Sequence, residues 1–262
     1  MIPLDYITEW SNTAPWSDAR DVEQDLIICR ALVAIYSDPV LSSKLAFRGG
    51  TAIHKLYLPP QARYSEDIDL VQIEPEAIGE TLDRIKDALY FIGMPKTKRK
   101  TSNNVLLYTF ESEPEPRIPR KLKIEINCVE HMTVLGYEDV EFTVNSSWFS
   151  DHVRIKTSPL KELVGTKIRA LYQRRKGRDL FDLFWALKSG KLDVALAVKC
   201  FQEHIRFTNG AVPSKKVFAL NLEEKIRDSD FSADLSPILS RDIDYDIDEA
   251  FRVVMEQIVE RI

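Results

Sequence analysis

The chemistry in this chain concentrates between residues 47 and 70. The stretch begins Phe47-Arg48-Gly49-Gly50-Thr51-Ala52, passes through Arg63-Tyr64-Ser65, and ends on Asp67-Ile68-Asp69-Leu70. Read as a strand running to about Ile73, the last segment puts alternate side chains on opposite faces. Asp67 and Asp69 then share one face, while Ile68 and Leu70 point into a core. Two such carboxylates stand roughly 7 Å apart at their Cα atoms and can converge on one hard cation. Magnesium takes one or two carboxylates together with substrate phosphates. The Gly49-Gly50 pair ends the apolar run Leu45-Ala46-Phe47 and lets the backbone turn tightly beside a ligand. Thr51 to Tyr57 reads as a short helix, with Ala52, Ile53, Leu56 and Tyr57 apolar, stopped by Pro59-Pro60. Its first N–H groups lack internal partners and favour an anion. A phosphate-holding turn followed by an Asp-x-Asp strand points to metal-assisted nucleotide chemistry.

Other residues extend this reading. Lys121 to Cys128 alternates, with Leu122, Ile124, Ile126 and Cys128 on one face and Lys121, Lys123, Glu125 and Asn127 on the other. If that strand neighbours Asp67 and Asp69, Glu125 is a third metal-binding and catalytic carboxylate. The alternative is an exposed strand acid paired with Lys121 or Lys123. Lys167 falls inside the apolar stripe Leu160, Leu163, Val164, Ile168 and Leu171 of a helix. A lysine there snorkels, finds an acid or faces a ligand. Asp67, Asp69 or a bound phosphate is the expected anion, and Lys167→Met is expected to keep the melting temperature while losing activity. Thr51 and Ser65 offer hydroxyls to a phosphate or, alternatively, to local backbone capping. Arg63 either contacts phosphate or pairs with Asp67. Asp179 flanks a helix start, where the dipole alone favours an acid. Asp182 lies opposite Leu180, Phe184 and Leu187, and is expected to face solvent.

The run FRGGTAIHKLY…RYSEDIDL resembles the bacterial abortive-infection nucleotidyltransferases, the AbiEii toxin family, within the DNA polymerase β-like superfamily. Sixteen residues separate Gly50 from Asp67, a spacing like this branch and longer than the superfamily usually shows. The resemblance covers roughly residues 20–190 and is sharp at 47–70 and 159–187. It implies a nucleotidyltransferase fold: α/β, a small mixed sheet with flanking helices, then a C-terminal helical domain closing the nucleotide cleft. KIEIN resembles the family's third-acid strand, Lys167 its helical lysine, and RRKGRDLFDLFWAL, carrying Asp179 and Asp182, its fourth motif. The implied roles are metal binding and catalysis for Asp67, Asp69 and Glu125, catalysis for Lys167 and Asp179, and nucleotide contact for Gly49, Gly50, Thr51, Ser65 and Lys167. The implied reaction is Mg²⁺-dependent transfer of a nucleoside monophosphate from an NTP to an acceptor hydroxyl. A tRNA 3′ end is the favoured acceptor and a protein hydroxyl the second. Members are typically toxins with a cognate antitoxin, so growth arrest is the implied outcome. The rival reading is a catalytically silent nucleotide- or partner-binding module.

The elements that must position these groups are legible in outline. At 262 residues, with 44% hydrophobic and 29% charged, the chain suits one large domain or two modest ones. No apolar run approaches the ~18 residues of a membrane span. No basic stretch precedes an apolar one at the N-terminus, so no secretory signal is read. Cys29, Cys128 and Cys200 make neither a disulfide framework nor a zinc pattern, which fits a cytoplasmic setting. There is no Gly-x-x-x-x-Gly-Lys-Ser/Thr loop and no His-Asp pair for a metallo-phosphohydrolase. Net charge is −5, but residues 221–262 hold 12 acids and 5 bases, leaving residues 1–220 with 29 acids and 31 bases. Bases cluster at 96–100, 117–123 and 174–178, as paths for RNA phosphates or as solvated loops and helix ends. Residues 1–16 read as irregular. Helices are expected from Asp18 to Tyr36, from Pro39 to Lys44 and over 76–91, and strands around 105–110, 121–128, 140–144 and 153–155. From Ser158, read as a helix cap, the pattern turns helical. The boundary is placed there, giving a catalytic domain 1–155 and a helical domain 156–262. Residues 228–248 read as an acidic loop or an exposed helix connection.

Overall fold

The computed structural model describes residues 2–99 and 102–262; Lys100, the last base of the 96–100 run, lies outside them. The chain forms two compact units. The first comprises Met1–Ala52, Arg63–Met132 and Tyr137–Thr157, and the second Ile53–Ala62, Thr133–Gly136 and Ser158–Ile262. Two short segments that precede residue 156 in sequence therefore belong with the helices.

The first unit runs α1 (Leu4–Trp10), α2 (Ala19–Ser37), α3 (Pro39–Lys44), β1 (Leu45–Arg48), α4 (Gly49–Ala52), β2 (Asp67–Gln72), α5 (Gly79–Ala88), β3 (Lys96–Arg99), β4 (Asn103–Glu111), β5 (Pro119–Asn127), β6 (Glu138–Asn145) and β7 (Ser150–Thr157). Its seven strands form one sheet in the order β3-β4-β5-β2-β1-β7-β6. β2 runs parallel to β5 and β1 parallel to β7; the other pairs are antiparallel. The alternation read in the sequence is kept. Ile68 and Leu70 of β2 and Leu122, Ile124 and Ile126 of β5 are buried, and the polar residues between them are half-exposed. Asp18 caps α2 by accepting from Arg20 N–H, and Asp38 caps α3 by accepting from Val40 and Leu41 N–H.

Two elements differ from the sequence reading. Residues 4–10 are helical because Ile7 and Trp10 are buried and Trp10 Nε1 donates to Asp25 Oδ1 at 3.0 Å. The basic run Lys96–Arg99 is itself an edge strand, exposed at every residue and paired with β4.

The second unit opens with a π-helical turn, Ile53–Tyr57, and continues as α6 (Leu160–Gln173), α7 (Gly177–Lys188), α8 (Val194–Asn209), α9 (Lys215–Ile226), α10 (Ser229–Ala233) and α11 (Ile247–Gln257). Helix α6 begins after Pro159, not on a Ser158 cap; the Ser158 carbonyl instead accepts from Tyr57 Oη at 3.0 Å. Helices α6 and α8 approach closely at Gly165, where a Cβ would lie 2.7 Å from that of Cys200. Lys225 of α9 is buried and donates to the Leu171 and Tyr172 carbonyls at the end of α6. Residues 228–248 carry the short helix α10 and lead into α11, with Phe231 and Leu235 buried as anchors. The expected α/β architecture, a mixed sheet with flanking helices and then a run of helices, is what the chain adopts. Among the described residues no helix is long and apolar enough to cross a membrane.

Candidate active site

The parallel register of β2 and β5 pairs Asp67 with Lys123 and Asp69 with Glu125. Paired residues of neighbouring strands share a face, so the three carboxylates lie on one side of the sheet, about 5 Å from strand to strand. Lys123 stands among them, its Nζ 2.8 Å from Asp67 Oδ2 and 3.3 Å from Glu125 Oε2. Asn103 Nδ2 donates to the other Glu125 oxygen at 2.6 Å. Glu125 thus shares a face with Asp67 and Asp69 and also pairs with Lys123. Burial, then the charge of Asp67, pushes the Asp69 carboxyl above the ordinary carboxylate range.

The Gly-Gly turn packs directly on this face. Gly49 has φ +79°, and a Cβ there would lie 2.5 Å from Asp69 Oδ2. Glycine is required both by the backbone and by the approach of the carboxylate. Arg48 pairs in register with Asp69 and forms an ion pair with Glu130 at 3.3 Å. Thr51 is buried and donates its hydroxyl to the Asp67 carbonyl at 2.9 Å. It ties α4 to the start of β2, sixteen residues on, and is not a local cap. Ser65 is buried and accepts from Arg63 Nη1 at 3.0 Å; the same Arg63 nitrogen donates to the Tyr64 carbonyl. Both residues build the turn into β2.

The chemistry of this face suits a hard cation. Three carboxylates share one face, and an ammonium already stands between two of them. Among the described residues no three His, Cys, Asp or Glu side chains converge as a ready metal set, and Lys123 holds the position between Asp67 and Glu125. Magnesium needs only one or two carboxylates when phosphates supply the rest, a requirement that Asp67 and Asp69, alternate residues on one face of β2, meet without a complete protein cage.

Lys167 and Asp179 belong to a buried network in the helical unit. Lys167 Nζ lies 2.8 Å from Asp179 Oδ1 and 2.8 Å from Asp182 Oδ2, with side-chain exposures of 7%, 0% and 0%. These aspartates are the anions that the apolar stripe around Lys167 demands. Asp182 does not face solvent as its helical position suggested. Helix α7 is covered on both sides over Asp179–Phe184, and His54 Nε2 lies 2.9 Å from Asp182 Oδ1. Arg174 closes the other end, with Nε 2.6 Å from Asp179 Oδ2. Burial raises the Asp179 carboxyl, but Lys167 and Arg174 outweigh it and hold the group below the usual range.

Sequence reasoning offered Lys123 only as an alternative partner of Glu125, expected Asp182 to face solvent, and missed Asn103 and His54. Lys123 carried a signal, two residues from Glu125 on the same face. The others depend on register or on contacts 128 residues apart, as between His54 and Asp182.

The model of the nucleotidyl transferase AbiEii toxin family, a Type IV toxin–antitoxin system, matches residues 30–253. No curated protein matches the chain. Among solved structures, the nucleotidyltransferase toxin MenT4 from Mycobacterium tuberculosis H37Rv superposes with TM-score 0.56 at 13% identity, covering 97% of this chain and 99% of that one. JHP933 from Helicobacter pylori superposes with TM-score 0.52 at 18% identity, covering 92% and 90%. At such identities these likenesses speak to the fold alone. The family match spans most of the chain, including the Gly-Gly turn, the three-carboxylate face and the Lys167 network, and on that ground the chain belongs to the AbiEii nucleotidyltransferase toxin family.

Proposed function

We propose that this chain transfers a nucleoside monophosphate from an NTP to an acceptor hydroxyl, with a tRNA 3′ end as the acceptor and arrested growth as the outcome when the cognate antitoxin does not restrain it. One observation carries the reading: Asp69 and Glu125 are register partners on one sheet face, with Asp67 beside them and Gly49 packed on the Asp69 carboxyl. The acceptor oxygen forms a bond to the α-phosphorus, the bond to the β-phosphate oxygen breaks, and pyrophosphate leaves. A carboxylate of this face takes the hydroxyl proton as the bond forms. Asp67 and Glu125 hold their oxygens toward the phosphates, and the turn at Gly49 and Gly50 offers backbone N–H groups. Mg²⁺, held by Asp67, Asp69 and Glu125, would supply charge neutralisation at the phosphates and the leaving oxygens. Thr51 and Ser65 act by holding the turn and β2 in place. Lys167 is assigned a catalytic role as a positioned ammonium, with Asp179 and Asp182 fixing its direction.

The test is incubation with labelled NTPs, Mg²⁺ and total RNA, beside Asp69→Ala. Label on RNA that disappears in the variant is the expected result. Label on protein would favour transfer to a protein hydroxyl, and no label at all would favour a silent binding module.

A further inference from the structure

The three basic runs fare differently in the folded chain. Arg117 pairs with Glu113, Arg120 with Asp21, and Lys123 with Asp67 and Glu125. In the third run Arg174 pairs with Asp179, Arg175 with Glu224 and Asp228, and Lys176 and Arg178 with Asp234. Lys96, Lys98 and Lys121 are exposed, and among the described residues none has a carboxylate within ion-pair distance.

The sheet register places these three lysines. One row runs Arg48, Asp69, Glu125, Val105, Lys98 across β1, β2, β5, β4 and β3. The next runs Asp67, Lys123, Leu107, Lys96, and Lys121 pairs with Thr109 beyond it. Register partners share a face, so Lys96, Lys98 and Lys121 lie on the carboxylate face. Val105 and Leu107, half-buried, form an apolar floor between. Arg99 alternates to the other face, where its charge reaches Asp83 of α5. From β2 to β3 is three strand spacings, about 14 Å.

We propose that β3 and β4 form the track on which the acceptor RNA lies, with Lys96, Lys98 and Lys121 contacting successive phosphates of a single strand whose 3′ end reaches Asp67 and Asp69. The inference rests on the nucleotidyl-transfer reading above. Charge is the argument for the occupant: a row of unpaired ammonium groups leading to a carboxylate cluster suits a polyanion whose terminal hydroxyl, not its phosphates, meets the acids. An exposed lysine edge also discourages strand-to-strand aggregation, a role that the opposite-face Arg99 serves equally.

The test compares wild type, the double variant Lys96→Glu with Lys98→Glu, and Arg99→Glu, all as full chain. A short single-stranded RNA with a free 3′-hydroxyl is the probe, with binding read by anisotropy over a salt series and transfer read by labelled NTP. In the double variant RNA affinity falls roughly tenfold at 0.1 M salt, and the slope of log affinity against log salt shrinks by about 1.4, the release from two single-strand contacts. The KM for RNA rises while that for NTP is unchanged, and Arg99→Glu behaves as wild type. The inference is overturned if the double variant binds RNA like wild type, if Arg99→Glu is equally impaired, if the KM for NTP alone moves, or if wild type binds no RNA. Failure of the reading above shows differently, as RNA bound normally by wild type but never labelled.

Discussion

Each unit of this chain holds a lysine between two carboxylates, in opposite environments. Lys123 lies 2.8 Å from Asp67 and 3.3 Å from Glu125, with side-chain exposures of 36%, 35% and 30%. Lys167 lies 2.8 Å from both Asp179 and Asp182, at 7%, 0% and 0%. Water screens the first set, where an ion pair is worth about 0.2–1 kcal/mol and another cation can take the ammonium's place. The second set has no water to fall back on. Its charges depend on one another and on His54 and Arg174, and losing one partner of such a pair costs about 3–5 kcal/mol. The same grouping is therefore exchangeable on the sheet and fixed among the helices. The sheet cluster suits a group that binds and releases, and the helical cluster suits a group that must not move.

Neutralising each lysine in turn is the strongest way to break this contrast. Lys167→Met should cost about 3–5 kcal/mol in urea unfolding, because two buried aspartates lose their shared ammonium. This reverses the stability expected from the apolar stripe alone; an unchanged midpoint would show the network to be dispensable. Gly49→Ala comes next. It forces a side chain into φ +79° and against Asp69 Oδ2, which should cost about 1–2 kcal/mol and abolish transfer by displacing the carboxylate. Normal transfer in that variant would separate the turn from the site. Acid titration sharpens the contrast further. The folded Asp179 carboxyl lies below its ordinary value of 3.8, so its stabilisation is present above about pH 4 and is lost as pH falls through the folded value. Asp179→Asn should remove that part of the acid limb, and an unaltered limb would contradict the pairing. The smallest effect is at the sheet. Lys123→Gln should leave unfolding nearly unchanged and lower the Mg²⁺ concentration for half-maximal transfer about two- to five-fold, the equivalent of one exposed ion pair. A higher Mg²⁺ requirement would mean that Lys123 helps and does not compete.

What was readable in the sequence divides along the same line. Strand alternation exposed Asp67, Asp69 and Glu125, because period-two patterning survives whichever strands pair. The stripe around Lys167 exposed a lysine in need of an anion. Its partners stayed hidden, because Asp182 sits on a helix covered on both sides, and a helical wheel assumes one wet face. His54 was hidden for a simpler reason: 128 residues separate it from Asp182. The edge strand Lys96–Arg99 was invisible because three of its four residues are basic, and only pairing with β4 makes it a strand. Thr51 and Ser65 were legible as hydroxyls near the site. Their bonds to the Asp67 carbonyl and to Arg63 follow from packing that no local pattern encodes.

The central claim is that the carboxylate face is where transfer occurs, and Asp69→Asn tests it most directly. The substitution keeps shape and removes a carboxyl whose charge is disfavoured by burial and by Asp67. Labelled-NTP transfer and thermal unfolding are measured on the same preparation. The account predicts transfer reduced to background with the melting temperature equal to or above that of wild type. Full transfer with Mg²⁺, in a protein that melts normally, would contradict it.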